Sequence, residues 1–391
     1  MKTRGAYTFF LLLGFSQVFA QADSITISGK LEGLLQHKVS VSFKDEKGKA
    51  IAVSAVADKG QFSVRVPVQS EPVLARLGTS ATQSLSRTMP EGNTVGSPAP
   101  QLEFFIYHSP LHISGNTKYP MTCAVTGDAE NDGYSRYKNE VNRQEQRMWD
   151  IRTQHFFTED TAVANRLMKE GMEISKTITG QQKKFIAKHP NELASLFLLS
   201  RMQNLFTQQD FETAFTALGD KYKQTKIAQP IIKRMEAMAP TAAGRPAIVF
   251  NKQDKDGNWI NLADYKGQLV LLDFWGSWCG PCRASHPHLK ELYAQYHSKG
   301  FEIIAIAQET AKTLEQQRAL WLAAIEKDGI PWKHILNNET SAKQDLVKEY
   351  RVTAFPTKIL LDKEGKILLR ITASATDDID KALEKALKNI K

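Results

Sequence analysis

The sequence predicts an α/β domain at the C-terminal end, preceded by a small all-β domain and an α-helical region. Three patterns carry this reading. Apolar residues alternate with period two over 24–126, recur at three-to-four spacing over 128–239, and beyond about 247 strand-length apolar runs take turns with helix-length amphipathic segments. The last pattern is that of a sheet covered by helices. The expected divisions are a leader over 1–20, a β-sandwich-like domain over 21–127, a helical region over 128–239 and the α/β domain over 240–391.

In order along the chain, Lys2 and Arg4 precede an apolar stretch over 6–15, and Val18-Phe19-Ala20 places small residues before a cut at Gln21. This is the pattern of a cleaved signal peptide, too short to span a bilayer comfortably. No cysteine lies near the cut, so no lipid anchor is expected there. Strands follow over 25–31, 39–43, 62–66, 102–107 and 111–115, separated by turn signals such as Lys47-Gly48, Lys59-Gly60 and Glu91-Gly92-Asn93. The Ser, Thr, Gly and Pro-rich stretch 78–100 reads as an exposed loop. Cys123, inside 121–125, reads as a buried and inert thiol on a strand.

Tyr134, Tyr137, Val141, Met148 and Ile151 mark a first amphipathic helix, and Leu167, Met168, Met172, Ile174 and Ile178 a second. Further helices are expected over 193–202, 211–218 and 222–238. Ala239-Pro240-Thr241-Ala242-Ala243-Gly244-Arg245-Pro246 breaks the pattern as a linker. Strands are then expected at 247–250, 258–261, 268–275, 302–308, 333–336, 357–362 and 366–371, with helices near 281–298, 312–328, 341–349 and 376–389.

The net charge of +9 falls to +7 without Lys2 and Arg4, and the basic residues are scattered among acids. That distribution fits a solvated mixed surface and excludes nucleic acid as the expected partner. Three cysteines cannot build a disulfide scaffold. Two of them stand in Cys279-Gly280-Pro281-Cys282, just after the apolar run Leu269-Val270-Leu271-Leu272. A disulfide closing so short a loop gains little from chain entropy, so catalysis explains the pair better than stability. At a strand-to-helix junction the first thiol would be stabilised as thiolate by free backbone N–H groups.

Trp278-Cys279-Gly280-Pro281-Cys282 resembles the thioredoxin active-site pentapeptide. Asp273 stands where thioredoxins have a buried carboxylate, and Ala354-Phe355-Pro356-Thr357 resembles the family's cis-proline loop. The longer segment over 314–336, Pro246-Ala247 and the hairpin at Asp256-Gly257 are similar to the exported TlpA/ResA-type thioredoxins, over residues 243–391. More weakly, 24–240 resembles a β-plus-helical region carried ahead of such domains in some Gram-negative envelope proteins.

The resemblance implies a thioredoxin-like fold and a periplasmic thiol–disulfide oxidoreductase, with no cofactor beyond the Cys279–Cys282 pair and no metal. Cys279 is expected to be the solvent-facing attacking thiolate and Cys282 the resolving thiol. Asp273 is the expected proton acceptor, with a raised pKa. Trp278, Gly280, Pro281, Phe355 and a cis Pro356 form the expected substrate-docking surface. The Gly-Pro between the cysteines favours disulfide reduction, with disulfide-bonded envelope proteins as substrates, a membrane thiol-transfer protein as electron donor, and cytochrome c maturation as the pathway. The N-terminal regions are a candidate homodimer surface.

Competing readings are a thiol oxidase or isomerase, and an envelope scaffold whose redox domain is subsidiary. A zinc site from Cys279, Cys282 and His286 is disfavoured by the motif around the cysteines, and His286 and His288 are expected at the surface or in a groove. A peroxidase would need a hydroxyl residue where Gly276 stands.

Overall fold

A computed structural model describes residues 23–88, 92–340, 343–372 and 377–388. The expected leader and its cut at Ala20 lie outside these residues, as do Glu91 of one turn signal and the first residues of the helix expected over 341–349. The chain divides into two compact units between Ile178 and Thr179.

The first unit opens with ten strands: β1 (Ser24–Glu32), β2 (Lys38–Lys44), β3 (Ala50–Val56), β4 (Gln61–Pro67), β5 (Val73–Thr79), β6 (Leu85–Thr88), β7 (Thr94–Ser97), β8 (Leu102–Ile106), β9 (Leu111–Asn116) and β10 (Ala124–Thr126). Two four-stranded sheets, ordered β10-β9-β1-β4 and β3-β2-β5-β8, share one apolar core. The alternation of β1, β2 and β4 is the cause, since every second side chain faces the opposite sheet.

Three expectations are corrected here. β3 and β5 are strands the period-two reading passed over. The supposed loop over 78–100 contains the β6–β7 hairpin. Cys123 is not on a strand but follows a short helical turn at Pro120–Thr122; it is buried, and burial pushes its thiol up to about 11.

Helix α1 (Ala129–Phe157) follows, capped by the Asp128 carboxylate, which accepts the Asn131 N–H. Asn131 docks the helix on β8 by exchanging two hydrogen bonds with the Phe105 backbone. Helix α2 (Thr161–Lys188) contains the division between the units.

The second unit continues with α3 (Leu193–Arg201), α4 (Gln208–Ala217), α5 (Asp220–Lys223) and α6 (Gln229–Met238). The single helix expected over 222–238 is split, because Pro230 has no N–H to give and can sit only in the first turn of α6. Residues 179–239 thus share a compact unit with everything beyond 240. Thr207 pairs with Ile371, and Arg370 Nη1 donates to Thr241 Oγ1 at 3.2 Å.

The remaining elements are β11 (Asn251–Gln253), β12 (Trp259–Asn261), β13 (Leu269–Trp275), α7 (Gly280–Tyr296), β14 (Phe301–Ala307), α8 (Leu314–Asp328), β15 (Lys333–Leu336), α9 (Asn337–Thr340), α10 (Leu346–Glu349), β16 (Thr357–Leu361), β17 (Ile367–Thr372) and α11 (Asp377–Lys388). Five strands form one sheet in the order β15-β14-β13-β16-β17. β13, β14 and β15 run parallel, and β16 and β17 are antiparallel additions. Helices α7, α8 and α11 pack on one face; the β11–β12 hairpin region and α10 pack on the other. This is the thioredoxin-like fold expected for the C-terminal domain. The first strand, expected at 247–250, forms later, at 251–253.

Candidate active site

β13 is the central strand of its sheet, and all seven of its residues are buried. Successive side chains point to opposite faces. Leu269, Leu271 and Trp275 enter the core beneath α7, while Val270, Leu272 and Phe274 enter the other core. Asp273 therefore lies on the α7 face, and it is 1% exposed.

The three residues between β13 and Cys279 are held by the segment after β14. A Cβ on Gly276 would stand 2.7 Å from the Gln308 carbonyl oxygen, so only glycine fits. The Ser277 N–H and Oγ–H both donate to the Glu309 carboxylate, at 2.7 and 2.6 Å, and Trp278 Nε1 donates to the Gln308 carbonyl at 2.9 Å.

Cys279 then caps α7, its sulfur accepting from the Cys282 N–H at 3.3 Å. Free N–H groups and the positive end of the helix dipole favour a thiolate at this point. Pro281 occupies the first turn, where a missing N–H costs nothing. Cys279 and Cys282 are joined in a disulfide.

Cys279 is 3% exposed, which corrects the expectation of a solvent-facing nucleophile. The pair is sunk into the core beneath α7, and Phe355 packs against that core. What faces solvent is its rim: Trp278, Gly280 and Pro281 are exposed. The Trp278 ring stands edge-on to Phe355 with centroids 5.5 Å apart. The Phe355–Pro356 peptide is cis, and Pro356 itself is buried. Three segments far apart in sequence thus meet around the disulfide. Trp275, in contrast, is wholly core.

Beneath α7 lies a polar cluster that was not foreseen. Lys358 of β16 stands opposite Asp273 in the sheet and on the same face. Its Nζ is 3.3 Å from Asp273 Oδ1 and donates to Ser285 Oγ at 3.1 Å; Ser285 in turn donates to the Cys282 carbonyl at 2.7 Å. The Lys358 contact is an ion pair without hydrogen-bond alignment, and neither Asp273 oxygen accepts a hydrogen bond.

His286 is also buried, where a surface or groove position was expected. Positions 282, 285, 286 and 289 form the inward stripe of α7, which carries the ring inside. Burial pushes the His286 pKa down, against the pull of Asp273 and Asp328. His286 Nδ1 lies 2.9 Å from Asp328 Oδ2, and the Arg283 guanidinium, bonded to the same carboxylate, holds Asp328 below the usual carboxylate range. His288 is half-buried and meets Asp380 at 2.8 Å.

Sequence reasoning thus missed Lys358, Ser285 and Glu309. Lys358 did leave a signal: a charged residue in the apolar run Thr357–Leu361, matching Asp273 in the apolar run of β13.

A protein-family model described as Redoxin matches residues 239–387. Thiol-disulfide oxidoreductase ResA of Bacillus thuringiensis subsp. konkukian is 38% identical over 152 residues, which are 38% of this chain and 78% of that relative. ResA of Geobacillus thermodenitrificans is 33% identical over 144 residues, 37% of this chain and 77% of the relative. Among solved structures, the thioredoxin domain of a thiol-disulfide oxidoreductase from Bacteroides vulgatus shares 32% identity, covering 37% of this chain and 96% of that one, with a TM-score of 0.32.

Proposed function

This chain belongs to the ResA-type thiol–disulfide oxidoreductases, and we propose that it is a periplasmic disulfide reductase working through Cys279 and Cys282. The reading is carried by one observation: two bonded cysteines at the N-terminus of α7, the first in the capping position. In the reduced enzyme the Cys279 thiolate attacks a substrate disulfide, forming a mixed disulfide and releasing one substrate thiolate. Cys282 gives its proton to Asp273 and attacks Cys279. The Cys279–substrate bond breaks, the second substrate thiolate leaves, and both thiolates take up protons. Two electrons pass from the dithiol to the substrate, and no other cofactor takes part.

The exposed rim of Trp278, Gly280 and Pro281, with Phe355 and Pro356 beside it, is the docking surface for an extended substrate segment. Gly280-Pro281 between the cysteines supports the reducing direction. The oxidised pair is returned to the dithiol by a membrane thiol-transfer protein, with disulfide-bonded envelope proteins as substrates and cytochrome c maturation as the pathway.

Export rests on the charged and apolar pattern of residues 1–20. Among the described residues no helix is long and apolar enough to cross a membrane. Exposed Phe157, Met168 and Met172 on α1 and α2 support a homodimer through the N-terminal regions.

A Cys282→Ala variant tests the reaction. It cannot resolve the mixed disulfide, so envelope proteins accumulate on Cys279 and are released by dithiothreitol. A variant that captures nothing while the wild type reduces nothing overturns the proposal.

A further inference from the structure

We propose that Lys358 is a positioning residue of the redox site, its buried ammonium group tying the Asp273 carboxylate to the helix that carries Cys282 and supplying the positive charge against which the Cys282 sulfur loses its proton. The inference deepens the oxidoreductase reading and rests on it.

Lys358 is 3% exposed, in the interior of a strand whose other residues are also buried. Taking an ammonium ion out of water costs several kcal/mol unless the surroundings repay it. Among the described residues the charge opposite it is Asp273, at 3.3 Å, and that contact lacks hydrogen-bond alignment. The aligned partner is Ser285, and Ser285 donates to the carbonyl of Cys282 itself. A chain of contacts therefore runs from β13 through Lys358 into the first turns of α7.

Lys358 is also two residues beyond Pro356, so the segment beside the Trp278 rim and the support of the resolving thiol belong to one short stretch of backbone. The pleat puts Lys358 and Leu360 on the α7 face, and Ile359 and Leu361 on the other.

The charged and titratable groups around this point are few. Asp273 comes from β13 and Lys358 from β16. His286 and Arg283 come from α7, Asp328 ends α8, and His334 lies on β15. Arg283 and Asp328 compensate each other, and burial keeps His286 and His334 neutral near pH 7. Asp273 and Lys358 then form a second compensated pair.

When Cys282 passes its proton to Asp273, the carboxylate loses its charge and the sulfur gains one. Lys358, tied through Ser285 to the Cys282 carbonyl, then supplies the positive charge that balances the new anion. The count of charges under α7 is unchanged, so no uncompensated charge is buried during the step. The sulfur then closes on Cys279 and the substrate thiolate departs.

The test follows the 13Cβ shift of Cys282 with pH in the reduced full-length chain. A cation beside a thiol favours its thiolate. Lys358→Met is expected to raise the Cys282 titration midpoint by about one pH unit or more, a tenfold fall in thiolate at fixed pH. The resolution of a Cys279 mixed disulfide should slow about tenfold at pH 7, and Lys358→Arg should restore both readouts. A purely structural lysine would change stability and leave the midpoint in place.

Lys358→Met leaves Asp273 without a counter-charge, so the same comparison is made between Asp273→Asn and Asp273→Asn/Lys358→Met, where the double variant should again titrate higher. Coincident midpoints in both comparisons overturn the proposal. A wild type that titrates as described yet reduces no protein disulfide sinks the reductase reading and leaves this one standing.

Discussion

Glu309→Ala removes the carboxylate that pins the approach to Cys279. Glu309 is 3% exposed and accepts two hydrogen bonds from Ser277, at 2.7 and 2.6 Å. Hydrogen bonds to a charged group contribute about 1.5–3 kcal/mol each, and an orphaned buried N–H costs about 1–3 kcal/mol. Part of this is offset, because the variant no longer buries a carboxylate. A net loss of about 3 kcal/mol follows, allowing for the small cavity.

A compact unit of this size shifts by roughly 2–4 °C per kcal/mol, so the melting temperature should fall by about 6–12 °C. Glu309→Gln keeps the shape and can still accept from the Ser277 N–H, but its NH2 must donate to the Ser277 hydroxyl, so one bond is reversed and charge assistance is lost, at about 1–2 kcal/mol. Trp259, Trp275, Trp278, Trp321 and Trp332 all lie beyond residue 178, so tryptophan fluorescence during thermal unfolding reads mainly the unit in question. A Glu309→Ala melting temperature within 1 °C of wild type would refute the clamp.

Gly276→Ala forces a methyl group against the Gln308 carbonyl and the Trp278 ring, and should cost about 1–3 kcal/mol while releasing the Trp278 indole, seen as a shifted emission maximum. His334 is 1% exposed, and burial pushes its pKa from 6.5 down to about 4. A depressed histidine is stabilising above its unfolded value, and this contribution is lost as pH falls, here from about 6.5 to 4, by roughly 3 kcal/mol. His334→Gln should flatten the denaturant midpoint over that window, and an unchanged slope would count against the burial argument. Cys123, with its thiol pushed up to about 11, should resist iodoacetamide at pH 8 in the folded chain and react once unfolded.

The central architecture was readable because single features were strong. The apolar run Leu269-Val270-Leu271-Leu272 shortly before a Cys-x-x-Cys reads as a strand meeting a helix, and Phe355-Pro356 took its meaning from that motif. What stayed hidden depends on pairing across the chain. Lys358 looks like an exposed strand residue until β16 is laid beside β13, and then two charged residues explain each other. Glu309 follows β14 with nothing local to mark it, since its partners are 32 residues earlier. The hairpin β6–β7 was masked by Ser, Thr and Gly content that usually marks loops, and Pro230 was overlooked inside an otherwise regular apolar stripe.

The most direct test is the equilibrium reduction potential of the Cys279–Cys282 pair, measured in dithiothreitol redox buffers by alkylation and mass. A disulfide reductase with this motif should poise near about −270 mV, the value of thioredoxin. A potential above about −180 mV would make the pair an oxidant or isomerase and contradict the account.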